Sequence, residues 1–214
     1  MTAARQLERS TSFIMFSGGR TDPAINDSEA NSYGKAFLRL LQTQDFLQRE
    51  SVRDALASGR WAIEENATDS YQNLLFSIIQ FRRCTGRYPE HITVITHAFK
   101  TRRFLDLHAP AIRWPQDCIR VIGVDPEWGI PQEQVATAKL EEINAIRPFT
   151  DDPYGVREIL GGKRTSRQWN PSKLHDIGLD IQPEVQALLM WDQTTQFTGE
   201  LPWSQSSKNP AQES

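Results

Sequence analysis

The feature that most constrains this chain is an apolar run that stops at a pair of glycines and gives way to a helix start, residues 13–30, FIMFSGGRTDPAINDSEA. Phe13, Ile14, Met15 and Phe16 read as a fully buried strand. Gly18 and Gly19 follow at once, where a backbone without Cβ turns sharply and lets a ligand approach its N–H groups. Asp27 or Ser28 then caps a helix with apolar positions Ala30, Tyr33, Phe37, Leu40 and Leu41, and Glu29 sits in its first turn. A strand, a glycine turn and a helix N-terminus put polar groups at the carboxyl edge of a sheet, where open α/β folds bind their ligands.

The rest of the chain repeats the alternation. Residues 3–9, AARQLER, read as the tail of a helix running into the first strand, and a helix follows over 28–44. Residues 45–60 are polar and mixed and suggest no element, after which Trp61, Ala62 and Ile63 form a short second strand. Asp69 with Gln72 three residues on resembles a capping box, and Tyr71, Leu74, Leu75, Ile78 and Phe81 keep one face of a helix that Gly86 ends. The run ITVIT at 92–96 is β-branched throughout and reads as a buried parallel strand, followed by a helix over 101–108. A further strand spans 119–124. Pro131 then opens a helix that reaches Ile146. Asp152-Pro153 starts a shorter helix that Gly161-Gly162 terminates, and Lys163, Arg164 and Arg167 make a basic segment after it. Beyond residue 165 regularity fades, although Leu174, Ile177, Leu188 and Trp191 can still pack. The expectation is an α/β fold with a mostly parallel sheet covered on both faces, one domain over 1–203 and a tail of disordered composition at 204–214.

Composition narrows the partners. The 214 residues carry 24 Lys plus Arg against 27 Asp plus Glu, a net charge of -3 that favours neither nucleic acid nor an anionic membrane. No run of about eighteen apolar residues occurs, and the start MTAARQLERS lacks the apolar centre of a signal peptide, so the expectation is a soluble, cytoplasmic protein. Cys84 and Cys118 are too few and too far apart for a disulfide framework or a metal clip.

Three polar clusters fall at strand ends or helix starts. The first is Ser17, Gly18, Gly19 and Arg20 with Ser28 and Glu29: a glycine turn can cradle an anion, Arg20 can pair with phosphate, and Glu29 can accept a proton. A tight turn and a carboxylate favoured by the helix dipole explain the same residues without a ligand. In the second, Glu64, Glu65, Asn66, Asp69, Ser70 and Asn73, an N-cap role accounts for Asp69 and a solvated loop for Glu65, which leaves Glu64 and Asn73 as functional candidates. The third is Thr96, His97, Lys100, Arg102 and Arg103, cations at a helix start that suit an anionic ligand, with a solvated basic surface as the plain alternative. The four histidines lack zinc-site spacing, and no GxSxG, P-loop or complete GxGxxG is present.

At these residues the chain resembles the domain-of-unknown-function 218 family, with its SanA-like, ElyC-like and YdcF-like bacterial members, and most closely its fungal branch. A strand ending in SGG followed by SEA is matched by Ser17, Gly18, Gly19 and by Ser28, Glu29, Ala30. Glu64, Ala67, Ser70 and Asn73 match the next motif, with Gln72 in place of its usual Glu. Phe99 and Arg103 match the third, with Lys100 in place of its His, and GVDP at 123–126 and GELPW at 199–203 also look like the fungal branch. The resemblance implies a Rossmann-like three-layer α/β sandwich and an enzymatic role. Read together with the three clusters, it leads to the expectation of a small anionic or nucleotide-like ligand held by Ser17, Gly18, Gly19, Ser28, Asn73 and Arg103; in an enzyme Glu64 or Glu29 is the general base, Lys100 and Arg103 stabilise negative charge, and Asn73 orients the substrate. S-adenosylmethionine is the ligand indicated for the YdcF-like member. A non-catalytic binding or scaffold protein that keeps the fold is the rival reading, and Gln72 and Lys100 favour it. Family members carry one more strand ahead of SGG, which makes this chain truncated at its N-terminus relative to them and raises the expectation of self-association.

Overall fold

A computed structural model describes residues 2–9, 11–22, 24–43, 46–124, 136–137 and 139–205. It is mixed α/β with parallel strands, and its contacts divide it into two compact units, Met1–Arg87 with Arg164–Asn170, and Tyr88–Lys163 with Pro171–Ser214.

In the first unit α1 (Thr2–Leu7) leads to β1 (Ile14–Ser17), α2 (Glu29–Thr43), α3 (Glu50–Ala57), β2 (Trp61–Glu64) and α4 (Ser70–Thr85). β1 and β2 pair in parallel with Ile14 opposite Trp61 and Ser17 opposite Glu64. That register sets the last residues of both strands side by side. The core joins Leu7, Ile14, Phe37, Leu41, Phe46, Val52 and Ala55, with the Phe16 ring 5.3 Å from that of Phe37.

Two readings change here. Residues 45–60 hold α3, whose Val52 and Ala55 are fully buried; its N-cap is Arg49, which makes no side-chain cap, so the chain carries no start signal there. In α2 the inward positions are Ala30, Gly34, Phe37 and Leu41, while Tyr33 and Leu40 are exposed. Gly34 turns the face: a Cβ there would already touch Ile63, so the helix sits close over β2 along its glycine. α4 follows the sequence. Asp69 accepts from the Gln72 N–H at 2.9 Å, and Gly86, at φ +79°, ends the helix with its N–H on Arg82 O.

The second unit contains β3 (Ile92–Thr96) parallel to β4 (Ile119–Gly123), with Ile92 opposite Ile119. A π-helical stretch Arg103–His108 runs into α5 (Ala109–Ala111), and a second one, Glu142–Ile146, runs into α6 (Arg147–Asp151). α7 (Glu158–Ser166), α8 (Lys173–Ile177), α9 (Pro183–Leu189) and a 3-10 turn Pro202–Gln205 complete the described chain. The helix opening read at Pro131 lies outside the described residues, as does the tail from 206; Ser204 and Gln205, grouped with that tail by composition, belong to the 3-10 turn. The strands read as buried are mostly half-buried: in β1 Ile14 is buried while Met15 and Phe16 are half-buried. In β3 Ile92, Thr93, Val94 and Thr96 are half-buried and Ile95 is exposed, since among the described residues β3 pairs with β4 alone.

Asp152 and the glycine pair also change roles. Asp152 follows the end of α6, and its carboxylate accepts from the N–H groups of Val156 at 3.0 Å and Arg157 at 2.8 Å. Gly161 and Gly162 lie inside α7, at a cost in helix propensity of about 1 kcal/mol each that the helix tolerates. α7 stops at Gln168 instead, which takes the left-handed φ of +61° while the Trp169 N–H bonds to Arg164 O and the Gln168 N–H to Thr165 O. This is a Schellman ending with glutamine where glycine is usual. Gln168→Gly is therefore expected to stabilise the first unit by about 1 kcal/mol, measured as a rise in denaturant midpoint at unchanged slope.

Candidate functional site

The carboxyl edge of β1 and β2 is built from three elements of the first unit. β1 ends in Ser17, β2 ends in Glu64, and Asn73 lies in the first turns of α4. Ser17 Oγ is 2.6 Å from Glu64 Oε2 and 3.1 Å from Asn73 Oδ1. Glu64 is 4% exposed, and its Oε1 accepts the N–H groups of Asn66 at 2.6 Å and Ala67 at 3.1 Å. Burial pushes the Glu64 carboxyl above its ordinary range; the Ser17, Asn66 and Ala67 hydrogen bonds pull the other way, and the Glu65 charge adds to the rise. Three side chains nominated by the sequence thus meet at one point.

The glycine pair serves the chain itself. The Gly18 N–H donates to Glu64 O at 3.0 Å, extending the parallel ladder by one residue, and the Gly19 N–H donates to Ala67 O at 2.6 Å. Neither N–H is left to cradle an anion. Gly18 holds a φ of +142°, and a Cβ on it would press on Glu29, while one on Gly19 would press on the carbonyls of Glu65 and Ala67. The N-terminus of α2 is filled in the same way: Glu29 N–H donates to Gly19 O at 3.2 Å, Ala30 N–H to Gly18 O at 3.0 Å, and Asn31 N–H to Ser28 Oγ at 3.0 Å. Ser28 is the cap. Asp27 instead bonds Lys35 and Asn31, which hold its carboxyl below the usual range.

Side chains around this edge form a second ring of hydrogen bonds. Thr21 Oγ1 donates to Glu29 Oε1 at 2.5 Å, and Ser28 Oγ donates to Glu65 Oε1 at 2.6 Å. Glu65, read as a solvated loop residue, ties the loop after β2 to the cap of α2. Gln72 is buried and spends its Oε1 on the Thr68 N–H at 2.8 Å and the Thr68 hydroxyl at 2.7 Å. Arg164 Nε donates to Asp69 Oδ2 and Arg167 Nη1 to Thr68 O, each at 2.6 Å, and the Trp169 ring lies 5.6 Å from Phe76. These two arginines brace the loop that follows Glu64. No local pattern announces such a contact, because about a hundred residues of chain separate the partners.

The third cluster belongs to the second unit. Arg103, half-buried, forms a two-pronged ion pair with the buried Glu141, and Arg102 bonds Glu142 at 2.9 Å. Arg103 ties the first π-helical stretch to the residue that precedes the second. Lys100 Nζ lies 5.8 Å from the Phe99 ring, and His97 stacks on the other partner of that pair with ring centres 5.4 Å apart. Among the described residues no group of three or more His, Cys, Asp or Glu is arranged to hold a metal ion, and no helix is long and apolar enough to cross a membrane.

No family model matches the chain, and no solved structure matches it. The chain is similar to the uncharacterized protein YOR238W of Saccharomyces cerevisiae, with 31% identity over 189 residues that cover 73% of this chain and 62% of the yeast protein, so it spans less than two thirds of that relative's length.

Proposed function

We propose that the chain is a small-molecule-binding protein of Rossmann-like three-layer architecture, allied to the domain-of-unknown-function 218 family, with its ligand at the carboxyl edge of β1 and β2. The observation that carries this reading is the convergence of Ser17, Glu64 and Asn73 where the two strands end. Because the glycine and helix-start N–H groups are used within the chain, recognition here falls to side-chain oxygens and the Asn73 amide. Such a set suits the hydroxyls and amine of a nucleoside-like compound, S-adenosylmethionine included, better than a bare anion. In an enzyme, Glu29 and Glu64 would move the proton and Asn73 would orient the substrate.

A thermal-shift series of S-adenosylmethionine, adenosine and inorganic phosphate tests the reading. A binding compound at about a hundred times its Kd adds roughly 2.7 kcal/mol of stability, with the nucleosides expected to act and phosphate not. Glu29→Gln and Glu64→Gln should keep the fold and weaken that response; no shift with any nucleoside rejects the reading. The buried Gln72, occupied with Thr68 where the family motif has Glu, favours the second reading, a binding or scaffold protein without turnover. It predicts a thermal shift with S-adenosylmethionine that is not accompanied by its consumption.

A further inference from the structure

The hydroxyl of Ser17 has one proton and faces three oxygens: Glu64 Oε2 at 2.6 Å, Asn73 Oδ1 at 3.1 Å and, at 3.4 Å, the Asn73 main-chain O. With Glu64 ionised, that proton is drawn to the carboxylate, and Asn73 Oδ1 is left facing the lone pairs of Ser17. With Glu64 protonated on Oε2, every group is matched. The carboxyl O–H donates to Ser17 Oγ, the Ser17 O–H donates to Asn73 Oδ1, and Glu64 Oε1 still accepts from Asn66 and Ala67.

We propose that Glu64 holds a proton on Oε2 that opens a directed chain of hydrogen bonds, Glu64 to Ser17 to Asn73. The surroundings agree. The charge that bears on Glu64 is that of Glu65, next in the chain and bonded to Ser28, which opposes a further negative charge, and the carboxylate at the start of α2, Glu29, lies against Gly18. From α4 the facing group is the neutral Asn73, and the nearest acid of that helix, the Asp69 cap, is neutralised by Arg164. Burial of the carboxyl at 4% exposure acts in the same direction. This inference deepens the reading of the edge as a site, but it needs no ligand, so an unsuccessful ligand screen leaves it standing.

The test is a pH titration of the full chain labelled with carboxyl-13C glutamate, read by NMR, with Glu64→Gln assigning the resonance. Glu64 is expected to titrate with a midpoint above those of the exposed glutamates of the same chain, because burial disfavours its charged form. Should Glu64→Gln fail to fold, Ser17→Ala assigns the resonance by displacing it. A Glu64 midpoint at or below those of the exposed glutamates overturns the proposal, since Asn73 must then be turned to donate its amide N–H to Ser17.

Discussion

Trp203→Ala should cost the second unit roughly 3–5 kcal/mol, the range for truncating a fully buried aromatic side chain. Trp203 is 2% exposed, its ring centre lies 5.1 Å from Tyr88 and 5.3 Å from Trp114, and its indole N–H donates to Ile112 O at 2.8 Å. Truncation opens a cavity and leaves a buried carbonyl without its donor. The whole segment before it is tied down in kind: the Phe197 N–H donates to Tyr154 OH at 2.7 Å, and Tyr154 OH donates to Ala111 O at 3.0 Å. Arg113 closes the strap. It takes the left-handed φ of +54° just past α5, and its Nη1 reaches Thr198 O at 2.7 Å and Gly199 O at 2.5 Å. Arg113→Gly therefore relieves about 1 kcal/mol of backbone strain but removes two charge-assisted hydrogen bonds, and net destabilisation is expected. Gln168→Gly, with the same relief and no such bonds to lose, should go the other way. Denaturant unfolding separates these outcomes, and hydrogen exchange of the α5 amides follows the two changes in the second unit; a Trp203→Ala chain within about 1 kcal/mol of the parent would show that the strap does not carry stability.

The sequence was most legible where a local signal had a local cause. ITVIT gave the bounds of β3, Asp69 and Gly86 gave α4, and the SGG turn gave both β1 and the start of α2. It misled where tertiary packing overrides propensity. Two glycines inside α7 looked like a stop, the real stop being a glutamine in a glycine conformation, and α3 had no cap to announce it. The glycine pair illustrates a subtler limit. Its need for glycine was visible, but the cause is the close approach of the chain's own carbonyls at Glu65 and Ala67, and a ligand's phosphate would have left the same mark on the sequence. Likewise Glu64 and Asn73 stand out from their places after a strand and on a helix; that they share the Ser17 hydroxyl depends on the strand register, which no window of sequence contains.

Glu64→Ala and Glu64→Gln should part by several kcal/mol. Alanine leaves the N–H groups of Asn66 and Ala67 without an acceptor and opens a cavity under Ser17, together roughly 3–5 kcal/mol. Glutamine has the shape of the protonated acid. Its Oε1 can accept the same two N–H groups, and its Nε2 can donate to Ser17 as the carboxyl O–H does. Its cost is therefore expected to depend on pH in a definite direction. The folded protein raises the Glu64 midpoint, so the stability that Glu64 contributes is complete below the ordinary glutamate value of 4.5 and is lost as pH rises through the folded value. Glutamine does not titrate. The parent should accordingly lose stability relative to Glu64→Gln as pH climbs from 4.5, by about 1.4 kcal/mol for each unit that the midpoint is raised, and the gap should then level off. Urea unfolding of the two chains from pH 4 to 8, in roughly half-unit steps, measures it. A gap that moves in the parent's favour over that window would mean that Glu64 is held as a carboxylate, with Ser17 as its donor, and would make the edge of β1 and β2 a site for a base.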